Sequence, residues 1–380
     1  MRECEVVSFL MEEFAKRTGL VGDGIPRRYL WTDAFAVCNF LSLYEDSKDE
    51  NYLKLALKLI DQVHHVLGKF REDDERKGWI SGLRDKDGEL HPTIGGLRIG
   101  KEIKERAEDE PFDEDLEWDR DGQYFHYLTK WMHALSRVTQ VTKDHKYNFW
   151  AMELAKVAFK KFTYFDGRRT LMYWKMSTDL SRPLVSSMGH HDPLDGFITY
   201  MEINEIIKRN PRFYGNLDLD NEIDEFYFMT KDLNLVTADP LGLGGLISDA
   251  VFLSEMNFEK YENFLLKLIE SSIVGLKLFI QNNYFSYPVE YRLAFRELGL
   301  SIGLKGVPIM KEILRDKSDL KLYFDILEDF SVIGKEIEEF WLDERNRENE
   351  SWREHKDINE VMLATALMPE GFLKIKFEGV

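Results

Sequence analysis

A helical hairpin that recurs along the chain constrains its fold more than any other feature. Ser47-Lys48-Asp49-Glu50-Asn51-Tyr52 resembles Thr142-Lys143-Asp144-His145-Lys146-Tyr147, and each reads as a short turn followed by a helix start. The Ser or Thr and the Asp offer side-chain oxygens to the unpaired amides of that start. Each copy follows an apolar segment, residues 34–44 and 124–138, and precedes an amphipathic one in which Ala56 matches Ala151 and Leu59 matches Leu154. In the first amphipathic segment Leu55, Ala56, Leu59, Ile60, Val63 and Leu67 form one stripe, with Lys54, Lys58 and Asp61 opposite. A weaker third copy is Asn257-Phe258-Glu259-Lys260-Tyr261. The repeating unit is therefore a buried inner helix followed by an outer one.

Inner helices are expected to begin near Asp33, Asp121, Asp195, Asp249, Tyr291 and Asn359. Outer partners are expected near Asn51, Asp144, Asn221, Glu259 and Lys317, with residues 5–16 closing the last hairpin. The hairpins are unevenly spaced, which disfavours regular short repeats. Three stretches break the helical period: residues 68–118, 161–193 and 211–217, with short strands possible over residues 170–176. Loops this long inside a compact fold usually build a site. No linker divides the chain, so residues 1–380 are expected to form a single domain.

Charge excludes some partners. A formal net charge of -18 repels a polyphosphate, so no nucleic-acid partner is expected. No segment is apolar over enough length to span a bilayer, and the acidic N-terminus is unlike a signal peptide, so no membrane partner is expected. The two cysteines, Cys4 and Cys38, sit among apolar residues and read as core thiols, which fits a reducing cytoplasm. The sequence leaves oligomeric state open.

The chemistry gathers at helix entrances. Trp31-Thr32-Asp33 precedes the first inner helix, and Trp118-Asp119-Arg120-Asp121 precedes the second, with Tyr124 and His126 following. His190-His191-Asp192-Pro193-Leu194-Asp195 precedes the third and Ser248-Asp249 the fourth. An Asp there serves equally as a helix cap. Capping does not require the tryptophans, Arg120 or adjacent histidines.

Alternating inner and outer helices with Trp and Asp at the inner entrances resemble the (α/α)6 toroid of the six-hairpin glycosidase superfamily. The resemblance implies an all-α toroid of helical hairpins with long loops at one end. Trp118-Asp119-Arg120-Asp121 is similar to the Trp-x-Arg-Asp signature of glucoamylase- and invertase-like members, in which the Arg and Asp grip the sugar beside the scissile bond. That match implies substrate binding by Arg120 and Asp121. The chain departs from those families in having no segment that matches their catalytic glutamates.

Glycoside hydrolysis needs two carboxyl groups across the bond. The candidates are Asp119, Asp121, Asp192, Asp195, Glu202 and Glu290, with Asp121 and Asp192 preferred. His190 and His191 offer a second chemistry, proton exchange beside a carbonyl. The N-acylglucosamine 2-epimerase family shares the toroid and uses histidines in its central pocket, with His126 as a second base by that analogy. The expected catalytic set is therefore Asp121, Asp192, His190, His191 and Glu290. The expected substrate-binding set is Trp31, Asp33, Trp118, Asp119, Arg120, Tyr124, His126 and Asp195, acting on a small carbohydrate without cofactor or metal. A non-catalytic glycan- or protein-binding scaffold is the remaining reading. The glycine-rich residues 91–101 lack the Ser or Thr of a nucleotide-binding loop, since Glu102 follows Lys101. They read as a mobile loop over the mouth, with His91, Arg98 and Lys101 near an acidic substrate.

Overall fold

The computed structural model describes residues 3–256, 259–375 and 377. The chain folds into two compact units. One contains Met1–Phe14, Ser42–Lys48 and Lys231–Ile375; the other contains Ala15–Leu41, Asp49–Thr230 and Lys376–Val380.

The second unit carries the expected hairpins. The helices Phe125–Thr142 and Lys146–Phe162 pack together, as do Asp192–Arg209 and Asp220–Thr230. Phe125–Thr142 and Asp192–Arg209 are buried nearly all round and pack on each other. Glu50–Leu67 buries one stripe only, Ala56, Leu59, Ile60, Val63, His64 and Leu67, as its periodicity requires. The repeated turn has the same geometry in both copies. Lys48 and Lys143 adopt the left-handed conformation, with φ of 58° and 62°. Ser47 Oγ and Thr142 Oγ1 donate to carbonyls four residues back, at 2.6 and 2.7 Å. Asp49 and Asp144 then accept the amides of Asn51 and Lys146. The third copy starts on residues 257 and 258, outside the described residues; Glu259–Tyr261 forms a 3₁₀ turn into the helix Glu262–Gln281.

The loops build two small antiparallel sheets. Gln123–Tyr124 pairs with Lys175–Met176, which pairs with Pro183–Val185; Thr163–Phe165 pairs with Thr170–Met172. The strands expected over residues 170–176 are present.

In the first unit, Pro240–Glu255 packs on Glu262–Gln281 and on Ala294–Lys305, and the latter packs on Ser331–Leu342 and Lys356–Leu367. Two helix starts differ from expectation. The helix expected near Asp249 starts at Pro240, because Asp239 caps it through the Gly242 amide at 2.9 Å. Its glycines permit close packing rather than breaking it. A Cβ on Gly244 would sit 2.0 Å from the Gly299 carbonyl oxygen, so these two helices approach backbone to backbone. The partner of Ala294–Lys305 begins at Ser331 rather than near Lys317, since residues 318–329 form a short turn and a separate helix.

Candidate functional site

Short-range forces set the positions of the entrance residues. Asp33 Oδ2 accepts the Tyr29 amide at 2.9 Å and Oδ1 lies 3.3 Å from Arg28, so Asp33 pins the start of Leu30–Ser47 and thereby places Trp31. Asp121 is fully buried. Its Oδ2 takes Arg98 at 2.9 Å, and its Oδ1 takes the amides of Gly100 and Lys101 at 3.0 and 3.4 Å. Leu97 and Ile99 are buried completely, so the segment expected to be mobile is anchored from below by Asp121. Arg98 also donates to the carbonyls of Lys69 and Val66, and His91 Nδ1 lies 2.6 Å from Glu153.

Arg120 forms a two-pronged pair with Glu110, at 2.6 and 3.2 Å. Asp195 holds Lys130 at 3.0 Å, and Glu202 holds His133 at 2.7 Å. His190 is exposed and stacks against His191, with ring centroids 4.4 Å apart, just ahead of Asp192–Arg209. Glu290 lies in the other unit, exposed on the 3₁₀ turn Val289–Tyr291.

What the fold brings together is a cluster of rings. His126 stacks on Trp174, with planes 16° apart, and meets Trp31, Tyr124 and Tyr127 at centroid distances of 6.1, 5.3 and 5.0 Å. Trp118, half exposed, stands edge-on to Trp174 at 4.8 Å. Tyr29 and Tyr127 join hydroxyl to hydroxyl at 2.8 Å. Asp192 lies beside the imidazole, with Oδ1 3.5 Å from His126 Nδ1. The local backbone makes room for it: a Cβ on Gly189 would fall 2.5 Å from the Asp192 carboxyl carbon.

Three buried polar atoms in this cluster have no hydrogen-bond partner: Trp31 Nε1, His126 Nδ1 and Asp192 Oδ2. Each unmet bond of this kind costs about 1–3 kcal/mol, so the cluster carries bonding capacity that its own residues leave unused. Electrostatics locate one more carboxylate. Burial, above all, and then Asp121 and Asp119 push the Tyr29 hydroxyl up to about 12, against the bond from Tyr127. Burial and the charges of Tyr29, Glu117 and Asp119 raise Tyr124 as well. Asp119, exposed at the end of Glu114–Asp119, thus acts on Tyr29 and Tyr124, whereas Asp192 lies against His126. Beneath them Lys175 is fully buried between the Glu117 carboxylate, at 3.0 Å, and the Arg120 carbonyl, at 2.8 Å.

Sequence reasoning missed Tyr29, Tyr127 and Trp174. Tyr127 follows His126 on the same helix turn, and that adjacency was the available signal. Trp174 arrives only because Lys175 pairs with Tyr124 across the sheet, a register that lies outside local sequence. Among the described residues no group of three or more His, Cys, Asp or Glu is arranged to hold a metal, and no helix is long and apolar enough to cross a membrane.

No protein-family model and no curated protein matches the chain. Solved structures do. An α-1,6-mannanase from Salegentibacter sp. aligns over 96% of this chain and 98% of its own, with TM-score 0.55 and 13% identity. An inactive variant of that mannanase, in complex with α-1,6-mannotriose, aligns over 98% of this chain and 100% of its own, with TM-score 0.54 and 14% identity. The GH76 α-mannanase of Bacteroides thetaiotaomicron aligns over 96% of both chains, with TM-score 0.55 and 10% identity. These likenesses show the fold: all-α, the (α/α)6 toroid class of helical hairpins.

Proposed function

We propose that the protein is a carbohydrate-active enzyme, a glycoside hydrolase acting on a short oligosaccharide at the ring cluster of Trp31, Trp118, Tyr124, His126 and Trp174. The observation that carries this reading is the presence of unpartnered Trp31 Nε1, His126 Nδ1 and Asp192 Oδ2 in one cluster of aromatic rings. Indole faces take the apolar C–H surface of a pyranose, and the three polar atoms take its hydroxyls. Asp192 and Asp119 are the carboxyl pair in this proposal, one beside His126 and one acting on Tyr124 and Tyr29. His126 stands against Asp192, with Nδ1 3.5 Å from Oδ1. Asp121 and Asp33 anchor the loops that carry the rings, while Arg120 and Asp195 are paired with Glu110 and Lys130.

The mannanase variant bound to mannotriose was inactivated at two adjacent aspartates. This chain has one adjacent pair, Asp73 and Asp74, and each is held by an arginine at 2.8 Å, Arg71 and Arg76. The proposed pair here, Asp192 and Asp119, is not adjacent in sequence. The reading treats residues 1–380 as one toroidal domain, supported by alignments that run nearly end to end. It assigns the protein to a reducing compartment, the cytoplasm, because Cys4 and Cys38 are both free thiols.

The His126–Asp192 contact favours one second reading, a sugar epimerase in which the imidazole moves a proton beside a carbonyl. One experiment tests both. The protein is incubated in deuterated water with a panel of di- and trisaccharides that includes α-1,6-mannotriose. Shorter products support the hydrolase, and deuterium at C2 of an uncleaved reducing sugar supports the epimerase. Neither change from any sugar in the panel defeats both.

A further inference from the structure

A second place in the same unit has the features of a ligand site and shares no residue with the ring cluster. It is a crevice of about 110 Å³ lined by His64, His65, Trp79, Glu89, Tyr147 and Trp150, among others. His64 is 2% exposed, and its Nε2 receives the Trp131 indole N–H at 3.2 Å. An imidazole nitrogen that accepts is unprotonated, so the ring's proton sits on Nδ1. No acceptor for that Nδ1–H exists among the described residues. Burial, with His65 adding to it, holds the His64 pKa down to about 3, so the ring donates as a neutral group.

Around that donor the walls are aromatic and the rim is acidic. Trp150 stands edge-on to His64 at 5.0 Å, and its own N–H is spent on the Leu90 carbonyl at 2.9 Å, leaving the ring face as wall. Glu89 gives one oxygen to His65 Nε2 at 2.8 Å, and its other oxygen is open. A donor in the floor, an acceptor at the rim and indole between them suit a group with both acceptor and donor hydroxyls on an apolar ring. The volume equals only a few waters at about 30 Å³ each, which limits the occupant to the edge of a single ring.

We infer that this crevice is a second carbohydrate site, which takes one sugar unit edge-on, one hydroxyl oxygen receiving His64 Nδ1–H and a neighbouring hydroxyl donating to Glu89. The unit is a free monosaccharide or the end of a longer chain.

The test uses the full chain carrying Asp192→Asn, so that turnover at the ring cluster does not consume the probes. Histidine labelled with ¹⁵N reports the His64 Nδ1–H directly, whatever binds at the ring cluster. Methyl α-mannoside, mannotriose and glycerol are titrated separately. The expected result is a saturable shift of the His64 resonance with a sugar, weakened about tenfold by Glu89→Gln, as loss of one charge-assisted hydrogen bond requires. A shift with both sugars identifies a free unit, and a shift with mannotriose alone identifies a chain end. Glu89 is exposed, so its substitution leaves the fold intact. No shift with either sugar, an equal shift with glycerol, or indifference to Glu89→Gln overturns the inference.

Discussion

His126 Nδ1 lies 3.5 Å from Asp192 Oδ1, yet neither that nitrogen nor Asp192 Oδ2 has a hydrogen-bond partner. Two polar groups this close, buried and still unsatisfied, are poised for a third. If Asp192 takes part in turnover, Asp192→Asn keeps the shape and removes the charge. Activity on any oligosaccharide found to be a substrate should then fall about 10²–10⁴-fold, the range of a lost general acid or base. Unchanged kcat in the purified, folded variant would remove Asp192 from the chemistry.

Gly189 gives an independent handle on the same carboxylate. A methyl group there meets the Asp192 carboxyl at 2.5 Å, so Gly189→Ala must displace it. Displacement of about 1 Å costs on the order of 10²-fold in rate. We expect that loss in kcat with thermal stability nearly unchanged. A variant of normal activity would mean that the position of Asp192 is immaterial.

Asp121 should behave as a structural residue. Asp121→Asn leaves Arg98 buried without its counter-charge, at a cost of about 3–5 kcal/mol. Chemical denaturation measures the loss. Adding Arg98→Met should recover part of it, since removing both charges restores a neutral interior. Additive losses in the double variant would contradict the pairing.

His64 makes stability depend on pH in a defined window. Its folded pKa of about 3 lies below the ordinary 6.5, so the unfolded chain binds the extra proton between those values. Its contribution is complete above pH 6.5 and is lost as pH falls towards 3, at about 1.4 kcal/mol per unit. His64→Gln, whose amide oxygen still accepts from Trp131, should flatten the unfolding profile by that slope. Parallel profiles for the two proteins would refute the assignment.

Thiol labelling should separate the two cysteines. Burial pushes the Cys38 thiol up to about 12, with Arg137 opposing and Glu202 adding, whereas Cys4 is partly exposed. At neutral pH, iodoacetamide should modify Cys4 in the native protein and reach Cys38 only on unfolding. Rapid native modification at Cys38 would show that the core around it opens.

The hairpins were legible in local sequence. Stripes such as Ala56, Leu59, Ile60 and Val63 and the Ser/Thr-Lys-Asp turns encode helix, stop and restart within a few residues, because capping and helical periodicity are local forces. The same reading marked Trp31, Tyr124, His126 and Asp192, since Trp, His and Asp at helix entrances exceed what capping needs. What each residue does depended on long-range packing. Arg120 and Asp121 look like a sugar clamp in sequence, but Glu110, 10 residues away, and Arg98, 23 residues away, hold them. Trp174 joins His126 through strand register, and His64 becomes a donor because Trp131, 67 residues on, occupies its other nitrogen. Charge pairing and tautomer depend on which group arrives from elsewhere, and local sequence carries no record of that arrival.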